Sequence, residues 1–466
     1  MTTKEQLILS VIFLTTATLM ATLIYIIKKR YSIYPYEVAR NYDYDFRESN
    51  AKITNLSIKN ETIVLPKEDD IRQSSFICMT VNTTFMGKYF EPSITFLSKN
   101  KSFTQYFERG SKGIRYINIS PIASMETTEI KFKGKYIDVN DQTVQLVHFN
   151  NKDIKKQKIL VIAPHPDDAE IAAYGLYSSN KESYIITVTA GDAGSENYHE
   201  IYQDKLKHYF KKGELRTWNS ITVPLLAGIP PEQSINLGFF DDTLETMYKD
   251  KSSVVSGIYT HISDVTTYRK QNVSSIGADL YGKSDWNSLV GNIEYILNKI
   301  KPDIIVTPYP ALDNHKEHKL SSIALFEAIK KSGIRKGDLY LYTNHFVLSE
   351  HYPYGKMGGI VDLPPNFGKS IYFNSIYSHT LSIEKQKDKI FALEAMNVLR
   401  HDTGLIFSKG AVKLAKLVIS KIKRDILGQD NSYFRRAIRS NELFFVVEIN
   451  NIYNEEKLKR ILGEWY

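Results

Sequence analysis

The sequence predicts an α/β protein, with a mostly parallel sheet covered by helices on both faces. A small β-sandwich precedes it, and a transmembrane helix precedes both. Three observations carry this reading. Leu7–Ile27 is an uncharged apolar run. Residues 50–150 hold short, β-branched and aromatic segments punctuated by Gly, Asn, Asp and Pro. From Lys158 onward, short apolar runs alternate with segments of helical periodicity, the rhythm of strand–helix–strand units.

The apolar run is long enough as a helix to cross a bilayer core. A cleaved signal peptide usually has a shorter apolar region and a small-x-small site after it. Here Lys28-Lys29-Arg30 follows instead, so residues 1–30 read as an uncleaved anchor. Only Lys4 and Glu5 precede the run, and the excess of positive charge after it places the bulk of the chain in the cytoplasm. The amino terminus weakens that asymmetry, so a periplasmic or extracellular orientation stays open. Residues 31–49 read as a polar, tyrosine-bearing juxtamembrane linker.

Within the β-rich domain, 50–150, the strand candidates are Ser75–Phe85, Ser93–Lys99, Gly113–Ile122, Glu129–Val139 and Thr143–Asn150. Regular short strands with turn signals between them suggest the sandwich. The domain at 157–450 opens with strands at Lys158–Ala163 and Ser183–Thr189 and helices at Ala169–Ser179 and Asp204–Arg216. A third apolar segment is Ile221–Leu226. A helix at Trp286–Lys301 leads into a strand at Asp303–Thr307. Ile383–Leu399 and Lys409–Leu427 read as amphipathic helices with Lys and Arg outward. Glu442–Ile449 is a final strand, and residues 451–466 form a C-terminal tail.

The chain has 466 residues, room for two or three domains, and 42% hydrophobic and 24% charged residues exclude a disordered chain. The 31 tyrosines and 22 phenylalanines suit β-rich cores and also permit sugar stacking. Net charge is +8. Lysines are spread rather than interleaved with aromatics, which argues against nucleic acid as a partner. The excess reads as a solvated basic surface, with affinity for anionic lipid headgroups or phosphate-bearing substrates as the functional alternative. Cys78 is the single cysteine, so an intrachain disulfide and a cysteine-based metal cluster are excluded.

The chemistry concentrates in two places. The run Ile159–Ala163 ends in Pro164-His165-Pro166-Asp167-Asp168, with a helix beginning at once. One imidazole and two carboxylates thus sit at the carboxyl end of a buried strand, where open α/β sheets place ligands. After the later strand, Asp313 or Asn314 can cap a helix that carries His315 and His318 on one face of its first turn. Alone, a His-x-x-His pair is more often a solvated helix face and His-Pro-Asp-Asp a turn. Their joint placement after separate strands points to a metal. A catalytic zinc takes three nitrogen or oxygen ligands and keeps one position open; His165, Asp168 and His318 supply such a set, and another divalent ion also suits it. Asp167, off the metal, is placed to take a proton from water. His315 is placed to stabilise an oxyanion or protonate a leaving amine. Asp241 and Asp242 read as a sugar contact or, more simply, a turn or cap. Tyr309 could stack on a ring. His345, His351 and His379 fall in loop-like stretches; one could line the pocket, and each reads more simply as a surface histidine.

These residues resemble the PIG-L/LmbE-like zinc-dependent N-deacetylase family. Ala163–Gly175 resembles its His-Pro-Asp-Asp signature, Thr187–Gly194 its VTxGExG segment, Leu237–Asp241 its LGFxD segment, His315–His318 its HPDH ligand motif, and Asn441–Phe444 its closing segment, in the family's order. The resemblance implies a Rossmann-like fold and hydrolysis of an N-acetyl group from an acetamido sugar such as an N-acetylglucosamine unit. It implies zinc bound by His165, Asp168 and His318, with Asp167 as base and His315 beside the tetrahedral intermediate. It also places Arg216 and Asp192 in substrate binding. Arg216 lies where the family has an RxxE element, but Asn219 stands where the glutamate would be. Asp192 replaces the glutamate of VTxGExG, and Lys316 and Glu317, the middle pair of the second motif, need not touch the metal. With the anchor, the expected substrate is an acetylated amino sugar, lipid-linked or not, in a glycolipid, glycoconjugate or surface polysaccharide. Two alternatives stay open: a metal-dependent amidase acting on another conjugate, and a non-catalytic, membrane-tethered carbohydrate-binding protein.

Overall fold

In the computed structural model of the protein, residues 2–66, 74–98, 101–123, 129–399 and 410–463 are described. The chain opens with a helix, Thr3–Tyr31, whose start is fixed by a capping box between Thr2 and Glu5. It is the one described helix long and apolar enough to cross a membrane, and none of the residues of its most apolar window is buried. Thr15, Thr16, Thr18 and Thr22 turn their hydroxyls back onto carbonyls four residues earlier. Each of these four hydroxyls is thereby satisfied within the helix.

The β-rich segment forms strands β1 (Lys52–Lys59), β2 (Thr62–Val64), β3 (Ser74–Thr83), β4 (Ser93–Ser98), β5 (Lys101–Tyr106), β6 (Lys112–Asn118), β7 (Glu129–Lys135), β8 (Ile137–Asp138) and β9 (Gln142–Phe149). They pair antiparallel along one continuous path, β5-β4-β7-β2-β1-β9-β3-β6, with β8 beside β3. The sheet is therefore hydrogen-bonded from end to end, where the turn pattern suggested two stacked sheets. Alternating residues such as Ile77, Met79 and Val81 of β3 and Ile94 and Phe96 of β4 share one buried cluster. Of the strand expected at Ser93–Lys99, Lys99 lies outside the described residues.

The second sheet contains β10 (Ile159–Ala163), β11 (Ser183–Thr189), β12 (Ser234–Phe239), β13 (Ile304–Pro308), β14 (Asp338–Tyr342), β15 (Ser375–Thr380) and β16 (Asn441–Glu448). Its order is β12-β11-β10-β13-β14-β16-β15. The first five are mutually parallel and β16 is antiparallel to both its neighbours. Side chains of β10 alternate between two cores: Leu160 and Ile162 join the helices Trp286–Ile300 and Lys316–Ser332 on one face. Ile159, Val161 and Ala163 join helix Asp168–Ser178 on the other. Continuous apolar strands follow from burial on both faces. The strand order reverses between β10 and β13.

Several boundaries differ from the sequence reading. Ile221–Leu226 is no strand: it closes helix Lys205–Thr222 and continues as a 3-10 turn, Val223–Ala227, around Pro224. The neighbouring sheet strand is β12 instead. Residues 31–49 do not hang free; Tyr34, Tyr42 and Tyr44 are buried in the core shared with the second sheet. The segment after residue 450 adds helix Glu455–Leu462, whose Leu458, Ile461 and Leu462 are buried. Helix Gly410–Lys421 and the turn Ile422–Ile426 follow the expected Lys409–Leu427, of which Lys409 lies outside the described residues. Val412, Leu414, Val418 and Ile419 of this helix are exposed, so its apolar face covers no core among the described residues.

Candidate metal centre and pocket

The two motifs meet at the point where strand order reverses, because both follow the carboxyl ends of adjacent strands. After β10 the chain turns sharply. Asp167 takes φ of 152°, a backbone conformation that L-residues adopt at a cost of about 1–3 kcal/mol. That turn starts helix Asp168–Ser178 and aims two successive carboxylates into the cleft. After β13, Asp313 accepts a hydrogen bond from the His315 amide at 2.9 Å, and the helix begins at Lys316. His315 therefore precedes the first turn rather than lying in it, yet its ring is 4.8 Å from that of His318.

The Asp168 carboxylate is the meeting point. Its Oδ2 lies 3.1 Å from His165 Nδ1 and 3.2 Å from His318 Nε2. Its Oδ1 accepts from Asn344 Nδ2 at 2.7 Å. His318 is wholly buried, and its Nδ1 faces Asp313 Oδ2 at 3.1 Å. On the far side of His165, Nε2 is 3.1 Å from both Asp241 Oδ1 and Glu317 Oε2. Ligand-capable atoms of His165, His315 and His318 lie within 4.8 Å of one another, as do those of His165, Asp241 and Glu317. The donor set, two imidazoles and a carboxylate with second-sphere carboxylates on the remaining ring nitrogens, fits a divalent metal.

Burial and charge divide the protonation states. Burial opposes the charged form of His165, but Asp241, Asp168 and Glu317 hold it well above the usual imidazole range. His318 is likewise pushed up to about 10, with Asp168 and Asp313 overcoming burial. Burial raises Asp168, yet His318 and His165 bring it well below the ordinary carboxylate range. Asp167 rises to about 6, burial outweighing the charge of Arg216. His315 falls to about 3 through burial and the neighbouring imidazoles. These are the states of the metal-free cluster; a cation displaces the protons of its ligands.

The pocket over the cluster has a volume of about 400 Å³. Arg216 reaches it from helix Lys205–Thr222 and pairs with Asp167, Nη2 to Oδ2 at 2.9 Å. Gly191 makes room: a Cβ there would sit 2.6 Å from Nη1 of Arg216. The arginine is thus in the pocket without the RxxE glutamate, and its partner is Asp167. Asp192 is not part of the wall. It is buried, accepts from the Asp241 amide at 2.8 Å, and is raised to about 7 by burial. Asp242 lines the pocket, whereas Tyr309 is buried beneath, its hydroxyl donating to the Tyr372 carbonyl at 2.6 Å.

Sequence reasoning underrated three residues. Glu317 is no bystander: besides His165, it accepts from the amides of Thr243 and Leu244 at 2.8 and 3.0 Å. Asp241, read as a turn or sugar contact, faces His165. His345 lies in the pocket wall, 5.1 Å ring to ring from His315, with Tyr433 3.1 Å from its Nε2. Spacing could not reveal these, since each arrives from a different crossover. His351 is half-buried away from the cluster, and His379 lies on β15 rather than in a loop.

Residues 160–329 match the family model described as PIG-L, GlcNAc-PI de-N-acetylase, which bears out the resemblance read from the motifs. No curated protein matches the chain. Among solved structures, the A40926 pseudoaglycone deacetylase Dbv21 is similar at 17% identity over 64% of this chain and 99% of its own, with a TM-score of 0.32. The zinc-inhibited form of teicoplanin deacetylase Orf2 is 14% identical over 62% and 97%, with a TM-score of 0.33. A conserved protein from Thermus thermophilus is 16% identical over 62% and 94%, with a TM-score of 0.28.

Proposed function

We propose that this protein is a membrane-anchored, metal-dependent hydrolase that removes the N-acetyl group from an acetamido sugar, N-acetylglucosamine-like, carried on a glycolipid, glycoconjugate or surface polysaccharide. The observation that carries the reading is the Asp168 carboxylate held between His165 and His318 where strand order reverses, with Asp167 beside it. The family match over these same residues supports an N-deacetylase, and the reversal point is the ligand position of Rossmann-like sheets. His165, Asp168 and His318 would hold the cation, zinc being the natural choice for such a set. When bound, a divalent cation there supplies Lewis acidity that makes water more acidic.

The chain's own residues then divide the work. Asp167, ionised at neutral pH, takes the proton from the attacking water. Arg216 holds that carboxylate in place. His315, neutral, donates an N–H bond to the oxyanion as the carbonyl carbon becomes tetrahedral. Proton return to the sugar nitrogen releases acetate and the free amine. Asp313 fixes the His318 ring, and Glu317 and Asp241 fix that of His165.

Acetate release by the purified full chain from N-acetylated amino sugars tests this. Activity is expected to vanish with a chelator and return with metal. Asp167→Asn should lose about 10²–10⁴ in rate while keeping its metal, and His318→Ala should lose the metal itself. Unchanged turnover in both variants would sink the mechanism.

A further inference from the structure

Where the apolar helix ends, a second cavity of about 800 Å³ opens, and the segment Ser432–Arg435 lines both it and the pocket over the histidine cluster. Its wall carries Arg30, Arg109, Lys356, Arg424 and Arg435 against Glu91, Asp425 and Asp430. Most of these charges are already engaged. Asp430 accepts from the Ser432 amide, and Asp425 pairs with Lys421 and Arg424. Arg435 donates to the carbonyls of Asp430, Pro353, Gly355 and His351. Arg30 donates to the carbonyls of Ile426 and Tyr89.

Arg109 is different. It is 8% exposed, and its Nε and Nη1 have no hydrogen-bond partner among the described residues. Gly428, at φ of 63°, lets the chain pass close beside the third nitrogen: a Cβ there would lie 2.9 Å from Nη2. A desolvated guanidinium without an acceptor is unfavourable, and its planar fork matches phosphate oxygens. We propose that this cavity is a binding site for a phosphate-bearing anion, clasped by Arg109 and backed by Arg30 and Lys356. The setting suits a lipid headgroup phosphate. Arg30 belongs to the last turn of the apolar helix, and Phe85, Met86 and Phe90 are exposed beside the Tyr89 that holds it. Free phosphate shares the chemistry, and the experiment separates the two.

The full chain is purified in a phosphate-free maltoside detergent and its thermal unfolding followed alone, with inorganic phosphate, and with phosphatidylglycerol added to the micelles. No turnover is involved, so the outcome is independent of the deacetylase reading. The native protein should gain at least about 2 °C in Tm with a saturating anion. Arg109→Met should gain nothing, while its Tm without anion equals or exceeds that of the native protein, since the unpaired charge has gone. Arg109→Lys, which keeps the charge but not the fork, guards against a folding defect and should need about tenfold more anion for the same gain. A gain with inorganic phosphate assigns the site to phosphate in general; a gain with phosphatidylglycerol alone assigns it to the headgroup. No gain with either, or an equal gain in Arg109→Met, overturns the proposal.

Discussion

Asp313 serves four groups with one carboxylate: it faces His318 Nδ1, accepts the His315 amide, and accepts the amides of Asn344 and His345 at 3.1 and 3.3 Å. It thereby sets both the tautomer of a proposed metal ligand and the path of the chain into the cluster. Asp313→Asn keeps the shape and removes the charge; metal affinity should fall about 10–100-fold, read by competition with a chromophoric chelator. Lys212 shows the electrostatic cost of the neighbouring wall. It is buried, donates to the Ser195 carbonyl at 2.9 Å, and is lowered to about 8 by burial and then by the charge of Arg216. Between about 8 and its ordinary 10.5 the unfolded chain binds more protons than the folded one. Stability therefore rises with pH across that window. Lys212→Met should flatten this rise, by up to about 1.4 kcal/mol per pH unit, in thermal unfolding followed against pH.

Helix Asp168–Ser178 is broken at Ala173, whose φ and ψ are −139° and 16°. The break frees backbone amides in a buried place, and a distant strand supplies the acceptor. Glu442 of β16 takes the amides of Gly175 and Leu176 at 2.8 and 2.9 Å, and Lys389 of helix Ile383–Ala395 neutralises it at 2.8 Å. Both side chains of the pair are almost fully buried. Glu442→Ala leaves an uncompensated ammonium and two unpaired amides. It should cost about 3–5 kcal/mol, seen as a marked drop in Tm, and adding Lys389→Met should recover part of the loss. The element also shows what periodicity can convey. β10, β11 and helix Trp286–Ile300 are continuous or cleanly amphipathic and were legible to within a residue or so. β12 was missed because its run contains Asn236 and Gly238. The Asn236 Nδ2 donates to the Thr189 carbonyl and to Ser220, partners that exist once the sheet has formed. The Lys316-Glu317 pair hid its acid in the same way: Glu317 looks like a solvated helix residue until Thr243 and Leu244 arrive over it.

At the scale of the molecule, the two sheets share one core rather than hanging on a tether. Asn118 of β6 donates to the Val361 carbonyl and to Ser378 of β15. The strap 31–49 inserts Tyr44 and Phe46 against Phe445 and Phe373. The apolar helix is thereby coupled to the pocket-bearing sheet through packed aromatics, which places the pocket at a set distance from any bilayer the helix enters. If the helix is an uncleaved anchor, carbonate-washed membranes retain the protein, mass spectrometry finds its amino terminus intact, and deleting residues 2–27 moves it to the supernatant. A cleaved terminus would identify a signal sequence instead.

The sequence by itself determined the apolar helix, the α/β rhythm after residue 158 and the pairing of the His165–Asp168 and His315–His318 clusters. Each depends on local order: run length, period, and which side chains follow a strand's end. Only the tertiary structure decided that Arg216 rests on Asp167, that Asp192 is buried away from the pocket, that Glu317 and Asp241 brace His165, and that Nε and Nη1 of Arg109 lack an acceptor among the described residues. Those are contacts between segments dozens to hundreds of residues apart. Burial, which raises the carboxyls of Asp167 and Asp192, exists only after the chain has closed around them.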